Sequence, residues 1–186
     1  AKQVLKIVKN KSISFEIFAD NHNEILQQAM EIKSWGKNVY VKVPYYNSKG
    51  FKNIKLIKKL SNNGVNLNIT ALFTFDQVKD VYKNINKNSQ TILSIFAGRV
   101  ADAGINPTTI IKKSVKLSKK TKKVKILWAS CRELYSIFLA NDIGCHIITV
   151  PDSILKKINL VGKNLIIYSK ETSKQFFDDS KGISFF

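Results

Sequence analysis

Arginine is almost missing from this chain. Of its 31 basic side chains only Arg99 and Arg132 are arginines, so a formal charge of +18 rests on lysine. Lysine scattered over helices is the ordinary way to solvate a surface, whereas the planar arginine fork suits bidentate contacts with phosphate or carboxylate. Both arginines stand just beyond apolar runs, LSIFAG before Arg99 and LWASC before Arg132. Surface filling does not account for that placement. An anion site does, and so does a helix cap or a pairing with a structural Asp or Glu.

Other absences exclude whole classes of function. Cys131 and Cys145 lack CxxC spacing, and His22 and His146 are the only imidazoles, which leaves no zinc ligand set and predicts free thiols, no metal and no cofactor. The longest apolar runs, such as HIITV and NLIIY, are too short to span a bilayer, and AKQVLKIVKN has no apolar centre of the signal-peptide kind. A soluble, cytoplasmic protein is expected. No G-x-G-x-x-G follows the first strand-like run and no G-x-x-x-x-G-K-[ST] occurs anywhere, which argues against a nucleotide-binding doubly wound sheet.

What is there is a repeat. With 186 residues and 44% apolar content, residues 1–186 fit a single domain with a sizeable core. Strand-like runs recur as SISFEIFA, NVYVKVP, VNLNITALF, TILSIFAGRV, VKILWAS and CHIITV. Between them lie stretches with helical spacing, including NEILQQAMEIKSW and KGFKNIKLIKKL. Asp20 or Asn21 and Ser48 read as N-caps, and Gly36 and Gly64 fall where helices should end. Alternating strand and helix implies parallel strands with helical crossovers, and of the two parallel architectures the (β/α)8 barrel is the one that needs no phosphate loop.

Within NVYVKVPYY, Val39, Val41 and Val43 fall on one face of an extended segment and Tyr40 and Lys42 on the other. A polar residue recurs in the strands at intervals of 26: Glu16, Lys42, Asn68 and Ser94. Singly, each has an ordinary reading, such as a surface ion pair, a turn contact or a small filler. Together on one interior face they need partners, and the cheapest are one another, water or a ligand. A lysine held inside a barrel sheds hydration, which favours the neutral amine, and amines attack carbonyls to give Schiff bases. Aldolase-type chemistry follows; its rival is a structural ion pair between Lys42 and Glu16.

Taken in order, VKVP, GVNLNITALFTFDQV, SIFAGRVADAG, LWASCREL and GCHIITVP resemble consecutive signatures of the transaldolases, Schiff-base (β/α)8 enzymes that transfer a dihydroxyacetone unit between sugar phosphates. The resemblance runs from Ser14 onward. It implies that Lys42 is the Schiff-base lysine of the fourth barrel strand. Glu16 and Thr70 would hold the catalytic water, Asn68 and Ser94 would contact substrate hydroxyls, and Arg99, Ser130 and Arg132 would bind phosphate. The exchange implied is between sedoheptulose 7-phosphate with glyceraldehyde 3-phosphate and erythrose 4-phosphate with fructose 6-phosphate, in the pentose phosphate pathway. A fructose-6-phosphate aldolase-like lyase is the near alternative, but such enzymes carry tyrosine and glutamine where this chain has Phe96 and Glu16. Tyr45 and Tyr46 stand where a small residue and a threonine are usual, and Cys131 where phenylalanine or proline is usual.

The resemblance also implies that the chain supplies strands three to eight. The aspartate of the family's first strand and the T-T-N-P of its second have no counterpart in these residues, and the opening helix-like QVLKIVKN reads as the tail of a preceding unit. An N-terminally truncated segment, inactive by itself, is the expectation. Residues 112–125, KKSVKLSKKTKKVK, raise a nucleic-acid alternative, yet the tract has no arginine and no interleaved aromatics, so a solvated helix end and loop is expected there. Sugar phosphates, and not nucleic acid or membrane, are the expected partners, with a homo-oligomer left open.

Overall fold

The computed structural model of the chain describes residues 1–184. Its first compact unit covers residues 1–151, and its second begins at Asp152. The first opens with helix α1 (Lys2–Ile7), then alternates β1 (Ile13–Glu16), α2 (His22–Ser34), β2 (Val39–Pro44), α3 (Ile54–Asn62), β3 (Leu67–Leu72), α4 (Phe75–Asn84) and β4 (Thr91–Ile95). Helices α5 (Ala97–Asp102) and α6 (Thr108–Ser118), strand β5 (Val124–Trp128), α7 (Tyr135–Asp142) and β6 (Ile147–Ile148) complete it. The second unit holds α8 (Asp152–Leu155), a 3-10 turn at Ile158–Leu160 and α9 (Leu165–Asp179).

The six strands form one sheet in sequence order, and every neighbouring pair is parallel. Sequential parallel strands with helical crossovers build a partial barrel of the (β/α) kind. Period-two alternation divides each strand between two faces. Val39, Val41 and Val43 of β2, Leu67 and Ile69 of β3, and Ile126 and Trp128 of β5 join Ile25 and Ala29 of α2 and Ile57 and Leu60 of α3 in the main core. The opposite face carries a small apolar cluster of Ile92, Leu127 and Ala129, with Tyr40, Phe96 and Ile147 against it. The lysine in β2 lies on that second face.

Local chemistry sets the helix starts. Asn21 caps α2 by accepting from the Glu24 amide at 3.0 Å, as expected. Thr74 and Gln77 cap α4 reciprocally: Thr74 Oγ1 accepts from the Gln77 amide at 3.2 Å and Gln77 Oε1 from the Thr74 amide at 3.0 Å.

The expectation for α3 was wrong. The helix begins at Ile54, with Asn53 and not Ser48 at its N-cap. Asn47 Oδ1 accepts from the amides of Lys49 and Phe51, Gly50 adopts φ +78°, and Tyr46 bridges Lys52 in antiparallel fashion, so residues 46–52 close a turn instead. Ser48 donates its amide and hydroxyl to Asp20, each at 2.7 Å, and Phe51 is exposed. Three strands also end early: SISFEIFA pairs only over Ile13–Glu16, TILSIFAGRV gives way at Ile95 to α5, and CHIITV pairs only at Ile147–Ile148.

Candidate active site

Parallel register makes a polar row from residues far apart in sequence. Glu16 lies beside Lys42 and Lys42 beside Asn68, so two of the 26-residue steps are register steps. The third is not: Asn68 pairs with Ile92, and Ser94 lies one side-chain repeat further along β4 on the same face. The row satisfies itself. Lys42 Nζ donates to Glu16 Oε2 at 3.0 Å, Ser94 Oγ donates to Asn68 Oδ1 at 2.6 Å, and Asn68 Nδ2 donates to Ser14 Oγ at 2.9 Å.

Except for Glu16, these side chains border a cavity of about 510 Å³ whose wall includes Lys42, Asn68, Thr70, Ser94, Phe96 and Ser130. Lys42 keeps 29% of its side chain exposed, enough for a ligand to reach Nζ. Thr70 is 2% exposed, and its Oγ1 has no hydrogen-bond partner. A buried hydroxyl without a partner costs about 1–3 kcal/mol, and at a cavity wall it marks a place where a water or ligand oxygen would be held. Ala71 follows it with φ 56°, at an irregularity in the β3–β4 register. Glu16 touches Lys42 but borders a different recess, with Phe15, Phe18 and Trp35.

The two arginines come from segments that press together. A side chain at Gly98 would place its Cβ 1.5 Å from the Ser130 carbonyl oxygen, so the first turn of α5 meets the turn after β5 through a glycine that nothing larger can replace. Ser130 itself holds φ 62°. Arg99 is exposed, with its guanidinium carbon 5.4 Å from the Phe96 ring centroid. Arg132 donates to Asp102 Oδ2 from Nε at 3.0 Å and from Nη2 at 2.6 Å. The carboxylate pairing considered for the arginines is thus present at Arg132. It leaves Nη1 outside that pair and available to an anion.

Several participants escaped sequence reasoning. Asp102 is one, although it is the sole acid between Asp80 and Glu133 and stands one turn after Arg99. Ser14 is another. A third is the clamp behind the strand that carries Lys42: Tyr45, 1% exposed, donates its hydroxyl to Asp80 Oδ2 at 2.6 Å, and Lys52 Nζ reaches the same oxygen at 3.1 Å. Burial first and the Asp80 bond second raise the Tyr45 phenol above its ordinary range, while the Tyr45 bond above all holds Asp80 below the usual carboxylate range.

Elsewhere, burial pushes the Cys145 thiol up and, with Lys125 nearby, the His146 imidazole down. Cys131 is buried, and its Sγ donates to the Glu133 carbonyl. Among the described residues no three His, Cys, Asp or Glu side chains gather as a metal site, and no helix is long and apolar enough to cross a membrane.

Known proteins bear on this site. The profile described as Transaldolase/Fructose-6-phosphate aldolase matches residues 1–183. A probable transaldolase of Dehalococcoides mccartyi is 30% identical over 158 residues, 84% of this chain and 69% of that protein. A probable transaldolase of Thermoplasma volcanium is 29% identical over 98% of this chain and 76% of its own length, and probable transaldolase 2 of Listeria monocytogenes is 28% identical over 84% and 68%. Among solved structures, a GMP reductase variant of Trypanosoma brucei bound to guanosine 5'-monophosphate superposes with a TM-score of 0.53 at 14% identity. That likeness covers 81% of this chain but only 35% of the reductase and concerns the fold alone. With a parallel partial barrel, a lysine on the wall of its cavity and a family match along nearly all of its length, the chain belongs to the transaldolase/fructose-6-phosphate aldolase family.

Proposed function

We propose that the chain carries the Schiff-base site of a transaldolase, which moves a dihydroxyacetone unit between sugar phosphates in the cytoplasmic pentose phosphate pathway. The observation that supports this reading best is Lys42, whose Nζ borders the cavity in a row of hydrogen-bonded polar side chains. Its six strands then take the places of strands three to eight in the eight-stranded barrel.

In this reading the unprotonated Lys42 amine attacks the ketose carbonyl carbon, and loss of water leaves a protonated imine. The neighbouring hydroxyl gives up its proton through a water held by Glu16 and Thr70, the carbon–carbon bond breaks, and its electron pair passes into the imine to leave an enamine. The first aldose phosphate departs. A second aldose phosphate then adds to the enamine, and hydrolysis returns the amine. Asn68 and Ser94 hold the hydroxyls of the three-carbon unit, while Ser130, Arg99 and Arg132 hold the phosphate. In sedoheptulose 7-phosphate and fructose 6-phosphate the three-carbon unit and the phosphate lie at opposite ends of the sugar.

Borohydride reduction of the full-length protein with fructose 6-phosphate should leave a stable secondary amine on Lys42, seen by peptide mass spectrometry and absent from Lys42→Ala. An adduct on Lys49 or Lys55 would reassign the nucleophile. Release of free dihydroxyacetone from fructose 6-phosphate without an acceptor would favour the lyase reading, against which Phe96 stands: it brings no phenol to the cavity wall.

A further inference from the structure

We propose that the turns at the N-terminal ends of the strands form a basic face that docks on the phosphate backbone of a nucleic acid, independently of the chemistry at Lys42. Parallel pairing aligns the strand starts: Ile13 with Val39, Val41 with Leu67, Leu67 with Thr91, and Thr91 with Val124. The turns that precede them therefore lie side by side.

Polar groups stitch each turn to the next. Asn38 Nδ2 donates to the carbonyls of Val8 and Lys11 at 2.9 and 2.8 Å, and Asn66 Nδ2 donates to that of Lys37 at 3.1 Å. Ser89 Oγ donates to the Ser61 carbonyl at 2.6 Å, and the Thr91 amide donates to that of Lys123 at 2.9 Å. The rim is one continuous, fixed structure rather than a set of separate loops.

Its charge is of one sign. Residues 8–12 (VKNKS), 35–38 (WGKN), 85–90 (INKNSQ) and 119–123 (KKTKK) hold eight lysines and no Asp or Glu, although the chain has 13 acids elsewhere. Lys9, Lys11, Lys37 and the four lysines of residues 119–123 are exposed, and none of them enters an ion pair among the described residues. Like charges fixed this close repel one another, and the ligand that relieves most of that repulsion is a polyanion with spaced charges.

The dimensions agree. Five strands at about 4.8 Å spacing make the rim an arc about 19 Å long, and double-stranded DNA carries one phosphate charge per about 1.7 Å of axis. The apolar residues of these turns do not reach out as a lipid anchor would: Ile85 is buried and Trp35 packs edge-on against Phe15 at 5.3 Å. Without arginine or an exposed aromatic on the rim, contacts stay with the backbone and carry no sequence preference.

The test is fluorescence anisotropy of the chain with a labelled RNA duplex of about 20 base pairs, between about 50 and 200 mM KCl. Replacing Lys119, Lys120, Lys122 and Lys123 together with glutamine should raise Kd more than about tenfold and reduce the slope of log K against log salt by about three to four. Replacing the exposed Lys49, Lys55, Lys112 and Lys113, which lie before or in the opening half of α3 and α6, with glutamine removes the same charge farther from the rim and should change Kd less than about threefold. Equal losses from the two sets would overturn the proposal, leaving net charge alone. Tighter binding to phosphatidylserine vesicles than to RNA, lost on the same four replacements, would overturn it in favour of a membrane surface. Saturating fructose 6-phosphate should leave RNA bound, and displacement would place the RNA at the cavity instead.

Discussion

Ile69 and Thr70 are neighbours on β3 and have opposite tasks. Ile69 is fully buried among aliphatic side chains between sheet and helices, whereas Thr70 lies on the cavity wall with a hydroxyl that no protein group satisfies. The same contrast divides the neighbouring strands, with Thr91 Oγ1 and Trp128 Nε1 as two unpartnered polar atoms on the helix-facing side. One face is otherwise apolar and continuous with the helices, and there each residue contributes through area removed from water. The other mixes a few apolar residues with Lys42, Asn68, Thr70 and Ser94, and its polar groups consume each other's hydrogen bonds at little gain in net stability. A strand therefore carries fold information on one side and site information on the other, one residue apart.

The sharpest way to break that contrast is a pair of replacements. Ile69→Ala removes a core side chain and should cost about 2–5 kcal/mol, read as a lower urea midpoint at unchanged m-value. Thr70→Val removes an unpartnered hydroxyl at nearly constant volume. It should leave the midpoint equal or slightly higher while lowering the yield of borohydride-trapped Lys42. A large loss of stability in Thr70→Val would mean that its hydroxyl holds a structural water and that the inner face contributes to the fold as the outer one does.

The arginines sharpen the comparison from a third position, because they lie beyond the strands altogether. Arg132→Ala or Arg99→Ala deletes a charge-assisted contact with phosphate worth about 1.5–3 kcal/mol, so KM for sugar phosphates should rise about ten- to a hundredfold. Unphosphorylated dihydroxyacetone should be little affected. Equal losses on both kinds of substrate would assign Arg132 to its Asp102 partner and to the fold.

How much of this was legible follows the same division. The apolar alternation of VYVKVP marks the strand and its inward lysine directly, and the 26-residue spacing of Glu16, Lys42 and Asn68 coincides with true register because those βα units are of equal length. Ser94 kept the spacing but not the register, since β3 and β4 pair at an offset of 24 residues, Asn68 with Ile92, where the two preceding pairs are offset by 26. The start of α3 was misread because its apolar spacing extends back through Phe51, while the deciding forces were a turn organised by Asn47 and the hold of Asp20 on Ser48. Contacts such as Arg132 with Asp102 and Asn68 with Ser14 join residues 30 and 54 positions apart, and no local pattern encodes them.

The smallest expected effect concerns pH and the clamp behind the Lys42 strand. The hydrogen bond from Tyr45, followed by Lys52 and against some burial, holds Asp80 below its ordinary value of 3.8. A depressed carboxyl stabilises the folded state above the ordinary value, and that contribution is lost as pH falls through the depressed one. Tyr45 works in the opposite sense: burial above all raises its phenol, so its contribution is present below the ordinary value of 10.0 and is lost as pH rises through the raised one. Urea midpoints of the protein and of Asp80→Asn should therefore differ most near neutrality and converge below about pH 4. A gap that persists undiminished in acid would show that Asp80 acts through shape and hydrogen bonding, whatever its charge. The clamp would then belong with the apolar face, as packing, and not with the ionised groups around the site.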